Sequence, residues 1–207
     1  LKILNPLSND LSVMRQSLLF CGLESVVYNI NRKNSSLKLF EFGKTYHNFE
    51  TGYKEDKHLT LFITGNKTKD SWNTISKSTD FFFVKGIITA ILNRLGIKDL
   101  KNTPVKNDVF SEGISLSLGK MMLVDFGIVK RTILKEFGIK QEVLFADFNW
   151  ENVLKLSNSK NFKVQELPKF PPVKRDLALL LDAKTEFKDV YNLAFQSEKN
   201  LLKEVDL

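Results

Sequence analysis

The chain has little of what holds small secreted proteins together or anchors a protein in a membrane. A single cysteine, Cys21, in 207 residues excludes an intrachain disulfide and a zinc site built from cysteines. No run of 18 apolar residues occurs, and residues 1–6 lack the apolar core and cleavage site of a signal peptide. We therefore expect no membrane partner and a location in the reducing cytoplasm. Because an initiator methionine is missing too, we expect a piece of a longer protein.

Motifs of catalysis and metal binding are equally scarce. The two histidines, His47 and His58, lack the four-residue spacing that places two ring nitrogens on one helix face for a metal. The sequence contains no glycine-rich phosphate loop and no Gly-x-Ser-x-Gly nucleophile motif. Cys21 lies within a predicted apolar helix, where a thiol is usually an inert packing group. The residues alone therefore predict no catalytic residue and no metal ligand.

What the chain does have is a globular composition with an excess of positive charge. Hydrophobic residues make up 43% and charged residues 27%, which excludes a disordered tail and a fibrous chain. Lysine and arginine number 31 against 24 aspartate and glutamate, so the net charge is +7. Such an excess fits a polyanionic partner, although a mildly basic protein needs none.

Hydrophobic spacing predicts an α+β fold in which an antiparallel sheet is flanked by helices. Apolar residues at helical spacing predict helices over residues 19–30, 84–95 and 130–137. Asp80 is the predicted N-cap of the second helix, and Gly96 is its predicted end. Alternating residues predict strands over residues 37–46, 58–64, 109–110, 114–118, 121–129 and 142–148. The first two of these strands are expected to pair across a polar loop at residues 48–57.

A proline-rich stretch separates this part from a shorter second part. Three of the five residues in 168–172 are proline, which interrupts helices and strands alike, so we place a linker there. Beyond it, alternating leucines predict a strand over residues 177–181. A helix face follows at residues 187–194, and a further strand is predicted over residues 201–207. Two strands and one helix cannot close a domain, so we expect this domain to be truncated.

Five blocks of residues carry a resemblance to a known family. They are Asn5-Pro6-Leu7-Ser8, Met14-Arg15-Gln16-Ser17-Leu18-Leu19, Asn29 with Phe40-Glu41-Phe42-Gly43, Asp80-Phe81-Phe82 with Lys85-Gly86, and Lys169-Phe170-Pro171-Pro172-Val173-Lys174-Arg175-Asp176-Leu177-Ala178. In this order they resemble the C-terminal part of bacterial phenylalanyl-tRNA synthetase beta subunits. The resemblance implies a class II synthetase-like core in residues 1–160 and a linker in residues 161–174. It also implies that residues 175–207 begin a ferredoxin-like anticodon-binding domain.

The same resemblance implies that this core is catalytically silent. Active class II synthetases hold the α-phosphate of ATP with an arginine, because a guanidinium contacts two phosphate oxygens at once. His47 stands at the corresponding position, and a second, adenine-clamping arginine has no counterpart. We therefore expect no catalytic residue, no metal site and no cofactor in this chain. It would be an inactive scaffold within a phenylalanine–tRNA ligase.

The resemblance further implies the partners of such a scaffold. These are an alpha subunit holding the ATP and phenylalanine sites, in an (αβ)2 assembly, and tRNA. ATP and magnesium would serve the whole enzyme. Lys169, Lys174 and Arg175 surround the predicted linker and are the candidate tRNA-binding residues, although a solvated charged hinge has the same composition.

Two other functions fit the same sequence. One is a stand-alone ligase of the class II-like superfamily, in which Arg15, Arg32 or Arg94 would have to hold the nucleotide. The other is an RNA-binding module built around the basic linker. Nucleotide binding distinguishes the first alternative, and the salt dependence of RNA affinity distinguishes the second.

Overall fold

Residues 1–9, 12–69, 71–158 and 169–206 are described by a computed structural model of the chain. Their helices are α1 (Leu19–Ile30), α2 (Phe81–Arg94), α3 (Arg131–Glu136), α4 (Trp150–Asn158) and α5 (Phe187–Ser197). Their strands are β1 (Leu37–Phe49), β2 (Gly52–Thr64), β3 (Lys101–Pro104), β4 (Phe110–Leu118), β5 (Met121–Val129) and β6 (Val143–Asn149). None of these helices is long and apolar enough to cross a membrane. The chain forms two compact units, residues 1–162 and residues 163–207.

The first unit is built on one antiparallel sheet with the strand order β1-β2-β6-β5-β4-β3. Leu37 of β1 lies opposite Thr64 of β2, so the predicted pairing of the first two strands is confirmed. The predicted α+β class, a sheet flanked by helices, is confirmed as well. The edge strand β3 is not among the predicted strands. Its four residues are mostly exposed and carry no apolar alternation that would reveal them.

One face of the sheet is covered by α2 and α4. At the start of α2, the backbone N–H of Phe83 donates to the Asp80 carboxylate (2.8 Å), which confirms the predicted N-cap. Gly96 follows the helix with a φ of 73°, in the left-handed region that favours glycine. The residues buried by the two helices in one core cluster with β2, β5 and β6 are Val84, Ile88, Leu92 and Val153. α4 has no counterpart among the predicted helices.

The other face is covered in part by α1, which approaches the sheet at a glycine. The residues of this contact include Leu19, Leu23, Val26, Phe62 and Phe145. A Cβ atom on Gly22 would lie 2.0 Å from Cζ of Phe62, so only hydrogen fits there. The neighbouring Cys21 is exposed, and the prediction that its thiol packs inside the protein is therefore wrong. A helix residue next to the buried stripe points to solvent even where the helix is apolar.

β1 and β2 are longer than predicted and extend beyond the rest of the sheet. β6 pairs with β2 only from His58 onward. Residues 44–57 therefore form a two-stranded projection, which we call the arm. Its ion pairs are Lys44–Glu55 (2.6 Å) and Lys54–Asp56 (2.8 Å). The polar loop predicted over residues 48–57 is wrong, because most side chains of the arm meet water and their polarity does not interrupt the strands.

In the second unit the predicted helix is present and the predicted strands are not. α5 confirms the helix, whereas residues 177–181 and 201–206 form no strand. An extended segment becomes a strand only beside another strand, and the described part of this unit contains none. The predicted core end at residue 160 and the linker residues 161–168 lie outside the described residues. Residues 169–174 contain neither helix nor strand.

The contact of α1 with the sheet can be tested with two helical glycines. Gly22→Ala should lower the free energy of unfolding by about 1–3 kcal/mol, because the new Cβ overlaps the Phe62 ring. A Cβ atom on Gly86 in α2 would have no atom within 4 Å, so Gly86→Ala should raise the free energy of unfolding by roughly 0.5–1 kcal/mol. Urea unfolding of the two variants measures both changes. Equal effects of the same sign would contradict the close contact at Gly22.

Candidate functional site

A row of polar side chains crosses the whole sheet on the face that carries α1. Strand pairing places one residue of each strand directly opposite the next, and from β1 to β3 these are Glu41, Thr60, Asp147, Asp125, Ser115 and Thr103. We call this set the polar row. Three of its six members carry carboxyl groups, which lie on β1, β6 and β5. The row is therefore acidic over most of its length.

The polar row begins where α1 stops covering the sheet. Every second residue of a strand lies on the same face, so the residues two positions away share the face with the row. They are Leu39, Phe62, Phe145 and Gly127, which again lie opposite one another. Phe62 and Phe145 are buried in the core cluster beneath α1, with Leu39 packed against it. Along each of these four strands, this face of the sheet thus changes from apolar to polar between residues that are two positions apart.

Arg15 lies at the β1 end of the polar row. Its Nη1 donates to Oε1 of Glu41 (2.7 Å), and its Nε donates to the carbonyl of Lys44 (3.0 Å). The backbone N–H of Tyr46 donates to the Arg15 carbonyl (3.0 Å), so the main chain is bound to β1 as well. Gly43 permits this approach, because a Cβ there would lie 2.6 Å from Nη2 of Arg15. The positive charge of Arg15 is therefore balanced by Glu41.

Thr45, His58 and Asp147 form a hydrogen-bonded chain across β1, β2 and β6. His58 Nδ1 donates to Oδ1 of Asp147 (2.7 Å), and its Nε2 lies 3.0 Å from Oγ1 of Thr45. The hydrogen bond to Asp147 raises the pKa of His58, although burial opposes the rise. A protonated Nε2 donates to the Thr45 hydroxyl, and a neutral one accepts from it. The hydrogen bonds therefore form in both charge states of the imidazole, and the bond to Asp147 is stronger when the imidazole is charged.

Asp125 and Asp147 lie directly opposite each other at the centre of the row. Burial raises the pKa of Asp125, and the charge of Asp147 adds to the rise. Oδ1 of Asp125 is buried and has no hydrogen-bond partner among the described residues. Asp125 therefore holds a proton more readily than an exposed aspartate does, while Asp147 is the acceptor for His58.

The charges of the polar row suit hydrogen-bond donors and do not fit a triphosphate. Three carboxyl groups stand beside one guanidinium and one imidazole, and both of these already contact carboxylates. Phosphate groups require cations that are free to contact them. Across the described ranges, no group of three His, Cys, Asp or Glu side chains is placed to hold a metal ion. These contacts join neighbouring strands to one another, and the carboxyl groups make this surface acidic.

The two histidines lie in different parts of the first unit. His47 belongs to the arm, where it is half-buried and stacks on Phe49 with 5.8 Å between ring centroids. It lies opposite Lys54, whereas His58 lies opposite Gly43. The two imidazoles are therefore not brought together, and only His58 adjoins the polar row.

The candidate cations also lie apart from one another. Arg32 follows α1 and stacks on the ring of Tyr28, with 3.4 Å from its Cζ to the centroid. Arg94 is exposed in the last turn of α2. The candidate tRNA-binding residues Lys169, Lys174 and Arg175 are exposed in the second unit, in a segment without helix or strand.

Arg15 and His58 were considered from the sequence, but the acids that they contact and Asp125 are absent from the sequence-based candidates, although one signal was present. Asp125 and Asp147 are single acids inside the apolar strands β5 and β6. Burying an unpaired carboxyl group costs free energy. An acid inside an apolar strand therefore indicates that no helix covers it or that another polar group pairs with it. The identity of that partner requires the strand register. His58 and Asp147, for example, are 89 residues apart.

Comparison with known families identifies the first unit. Residues 1–150 match the family model described as the phenylalanyl tRNA synthetase beta chain CLM domain. The chain belongs to the phenylalanyl-tRNA synthetase beta chain family. It is 44% identical, over 99% of its length, to the phenylalanine–tRNA ligase beta subunit of Bacteroides thetaiotaomicron. It is 38% identical, over its whole length, to that of Porphyromonas gingivalis. The chain spans 26% and 27% of these two relatives, about a quarter of their length.

Two solved structures share the fold of this beta chain family member. Pyrrolysyl-tRNA synthetase from Desulfitobacterium hafniense matches 70% of the chain and 50% of its own length, with a TM-score of 0.54 and 14% identity. A second structure of a pyrrolysyl-tRNA synthetase from that organism matches 75% and 53%, with a TM-score of 0.56 and 15% identity. At such identity the likeness concerns the fold alone. It confirms the expected synthetase-like antiparallel sheet.

The stability of the first unit should depend on pH through His58. Because the pKa of His58 is raised above 6.5 in the folded state, its stabilisation is complete below that value. It is then lost as the pH rises through the folded pKa. We expect the free energy of unfolding to fall by up to about 1 kcal/mol as the pH rises from about 6 through the folded-state pKa of His58, since the pair is partly open to water. Urea unfolding at several pH values measures the change.

The second histidine provides a matched control for this pH dependence. His58→Gln should remove it, whereas His47→Gln should leave it in place because His47 lies in the arm. If His47→Gln flattens the profile as much as His58→Gln, the assignment to the His58–Asp147 pair is wrong.

Proposed function

We propose that the chain is a non-catalytic core and tRNA-handling part of a phenylalanine–tRNA ligase beta subunit, from the C-terminal part of that subunit. The whole enzyme would attach phenylalanine to its tRNA at the expense of ATP. This core would support the reaction without performing it. The family match and the identity to phenylalanine–tRNA ligase beta subunits support the proposal.

The non-catalytic role rests on the charge of the polar row. In the active relatives that the sequence resembles, a guanidinium on such a sheet holds the α-phosphate of ATP. Here Arg15 is bound to Glu41. By the family resemblance, His47 would stand at the position of the phosphate-binding arginine. A triphosphate over this face would also lie against the carboxyl groups of Asp125 and Asp147. Repulsion from these groups opposes the binding of a nucleotide over the polar row.

The remaining assignments follow from membership of such an enzyme. The chain would assemble with an alpha subunit into an (αβ)2 complex in the cytoplasm. The ATP and phenylalanine sites would lie in the alpha subunit, with magnesium serving the whole enzyme. This chain would hold no cofactor of its own.

Pyrophosphate exchange tests the non-catalytic role directly. A beta subunit prepared without the alpha subunit should give no phenylalanine-dependent exchange above the blank, because the polar row provides no free cation for the nucleotide. The complex of both subunits should exchange and serves as the positive control. Incorporation of labelled pyrophosphate into ATP is the measurement.

ATP binding separates this proposal from a stand-alone ligase. Calorimetric titration of the beta subunit alone should show no binding of ATP at millimolar concentration. Binding that is present in the natural sequence and abolished in a folded Arg15→Ala variant would instead favour the stand-alone ligase.

We further propose that residues 1–160 are the synthetase-like core, that residues 161–174 are a linker, and that residues 175–207 begin a ferredoxin-like anticodon-binding domain. Lys169, Lys174 and Arg175 would contact tRNA phosphates in this arrangement. All three side chains are exposed, within seven residues of one another in an irregular segment. Such a segment can follow a nucleic-acid backbone, and the overall charge of +7 favours the encounter.

The salt dependence of tRNA binding tests these three residues. Replacing Lys169, Lys174 and Arg175 by alanine should make the slope of log affinity against log salt less steep by roughly 2–3, because three phosphate contacts are lost. The matched control replaces three exposed lysines of the same unit, Lys184, Lys188 and Lys199. If both triple variants change the slope equally, the effect is one of net charge, and the specific contacts are refuted.

A further inference from the structure

The loop between β2 and α2 presents two large apolar side chains to water. Its described residues are 66–69 and 71–79, and we call them the tryptophan loop. Trp72 is 97% exposed and Ile75 is 90% exposed. Exposing a whole indole forgoes the free energy that its burial would release. Trp150, the second tryptophan of the chain, instead packs edge-on against Phe42 with 5.0 Å between centroids.

The tryptophan loop is held in shape by its own hydrogen bonds. Ser71 and Thr74 exchange two backbone hydrogen bonds, of 3.1 and 3.2 Å, on either side of Trp72. The Asn73 side chain accepts from the hydroxyls of the same two residues, at 2.8 and 3.2 Å. At its base, the backbone N–H of Thr79 donates to the carbonyl of Gly65 (2.8 Å). The indole is therefore carried on an ordered turn, so binding a ligand there orders little additional chain.

Lysines surround this turn. Lys69 and Lys77 are exposed, and Lys67 pairs with Asp80 (2.5 Å). Lys38 reaches the loop from β1 and donates to the carbonyl of Lys67 (2.6 Å). The sequence from residue 66 to residue 79 contains three lysines and a single acid, Asp70, so positive charge predominates around Trp72.

We propose that the tryptophan loop binds single-stranded RNA, with a base stacked on Trp72 and phosphates held by Lys69 and Lys77. An exposed aromatic ring beside lysines is the arrangement by which proteins bind unpaired nucleotides. The lysines decide between RNA and a protein partner, since the core of a protein interface is depleted in lysine. This contact lies in the first unit and does not depend on Lys169, Lys174 or Arg175.

Tryptophan fluorescence reports the stacking directly. In a Trp150→Phe variant, Trp72 is the only tryptophan of the chain, and phenylalanine keeps the ring contact with Phe42. A 12-nucleotide single-stranded RNA should quench its emission. A Trp72→Phe variant, whose emission comes from Trp150, should show no quenching by the same RNA.

Affinity variants separate stacking from charge. Trp72→Ala should weaken binding of the 12-nucleotide RNA about fivefold or more, whereas Trp72→Phe should retain most of the affinity. Inorganic polyphosphate has no base, so its affinity should be the same for both variants. Replacing Lys69 and Lys77 by alanine should make the salt slope for the RNA less steep by about 1.4, since two phosphate contacts are lost.

Two results would overturn the proposal. One is equal RNA affinity of Trp72→Ala and Trp72→Phe. The other is Trp72 emission that RNA leaves unchanged and that shifts to the blue when the alpha subunit is added, which would assign the loop to a protein interface. Neither result affects the test of Lys169, Lys174 and Arg175, because those residues lie in the other unit.

Discussion

Hydrogen bonding between antiparallel strands decides which residues lie opposite one another, and side chains alternate between the two faces of the sheet. A shift of one residue in any pairing would therefore exchange buried for exposed side chains along a whole strand. In the observed register, Phe62 and Phe145 lie beneath α1 while Thr60 and Asp147 lie one step beyond it. The contacts of Arg15, His58 and Asp125 all depend on this alignment.

The two faces of the sheet differ in what they can contribute to an enzyme. The face beneath α2 and α4 is an apolar core that supports the fold. The face beyond α1 is acidic, and its cations are bound to carboxylates. A protein can keep a synthetase-like sheet for its shape while the side chains on the open face change. This charge pattern agrees with the proposal of a supporting role beside a catalytic partner.

Local features of this chain could be predicted from its sequence, and features that depend on pairing could not. α1 and α2 follow from apolar spacing, and Asp80 caps the start of α2 by accepting from Phe83, three residues along the chain. The leucines at residues 177–181 alternate as a strand does, yet the described part of their unit has no strand beside them. The polar row escaped prediction because it joins residues from six strands, and a single sequence contains no register between distant strands.

The arm is joined to the rest of the sheet at one end only. A two-stranded ribbon alone is barely stable in water, so residues 44–57 owe their order to the contacts at its root. Those contacts are the Arg15 bonds to Lys44 and Tyr46 and the hydrogen-bonded chain from Thr45 through His58. Bending is therefore concentrated at the root, and the tip can fray while the sheet stays intact. Loss of the proton from His58 weakens its hydrogen bond to Asp147 at this root, and the arm then bends more easily.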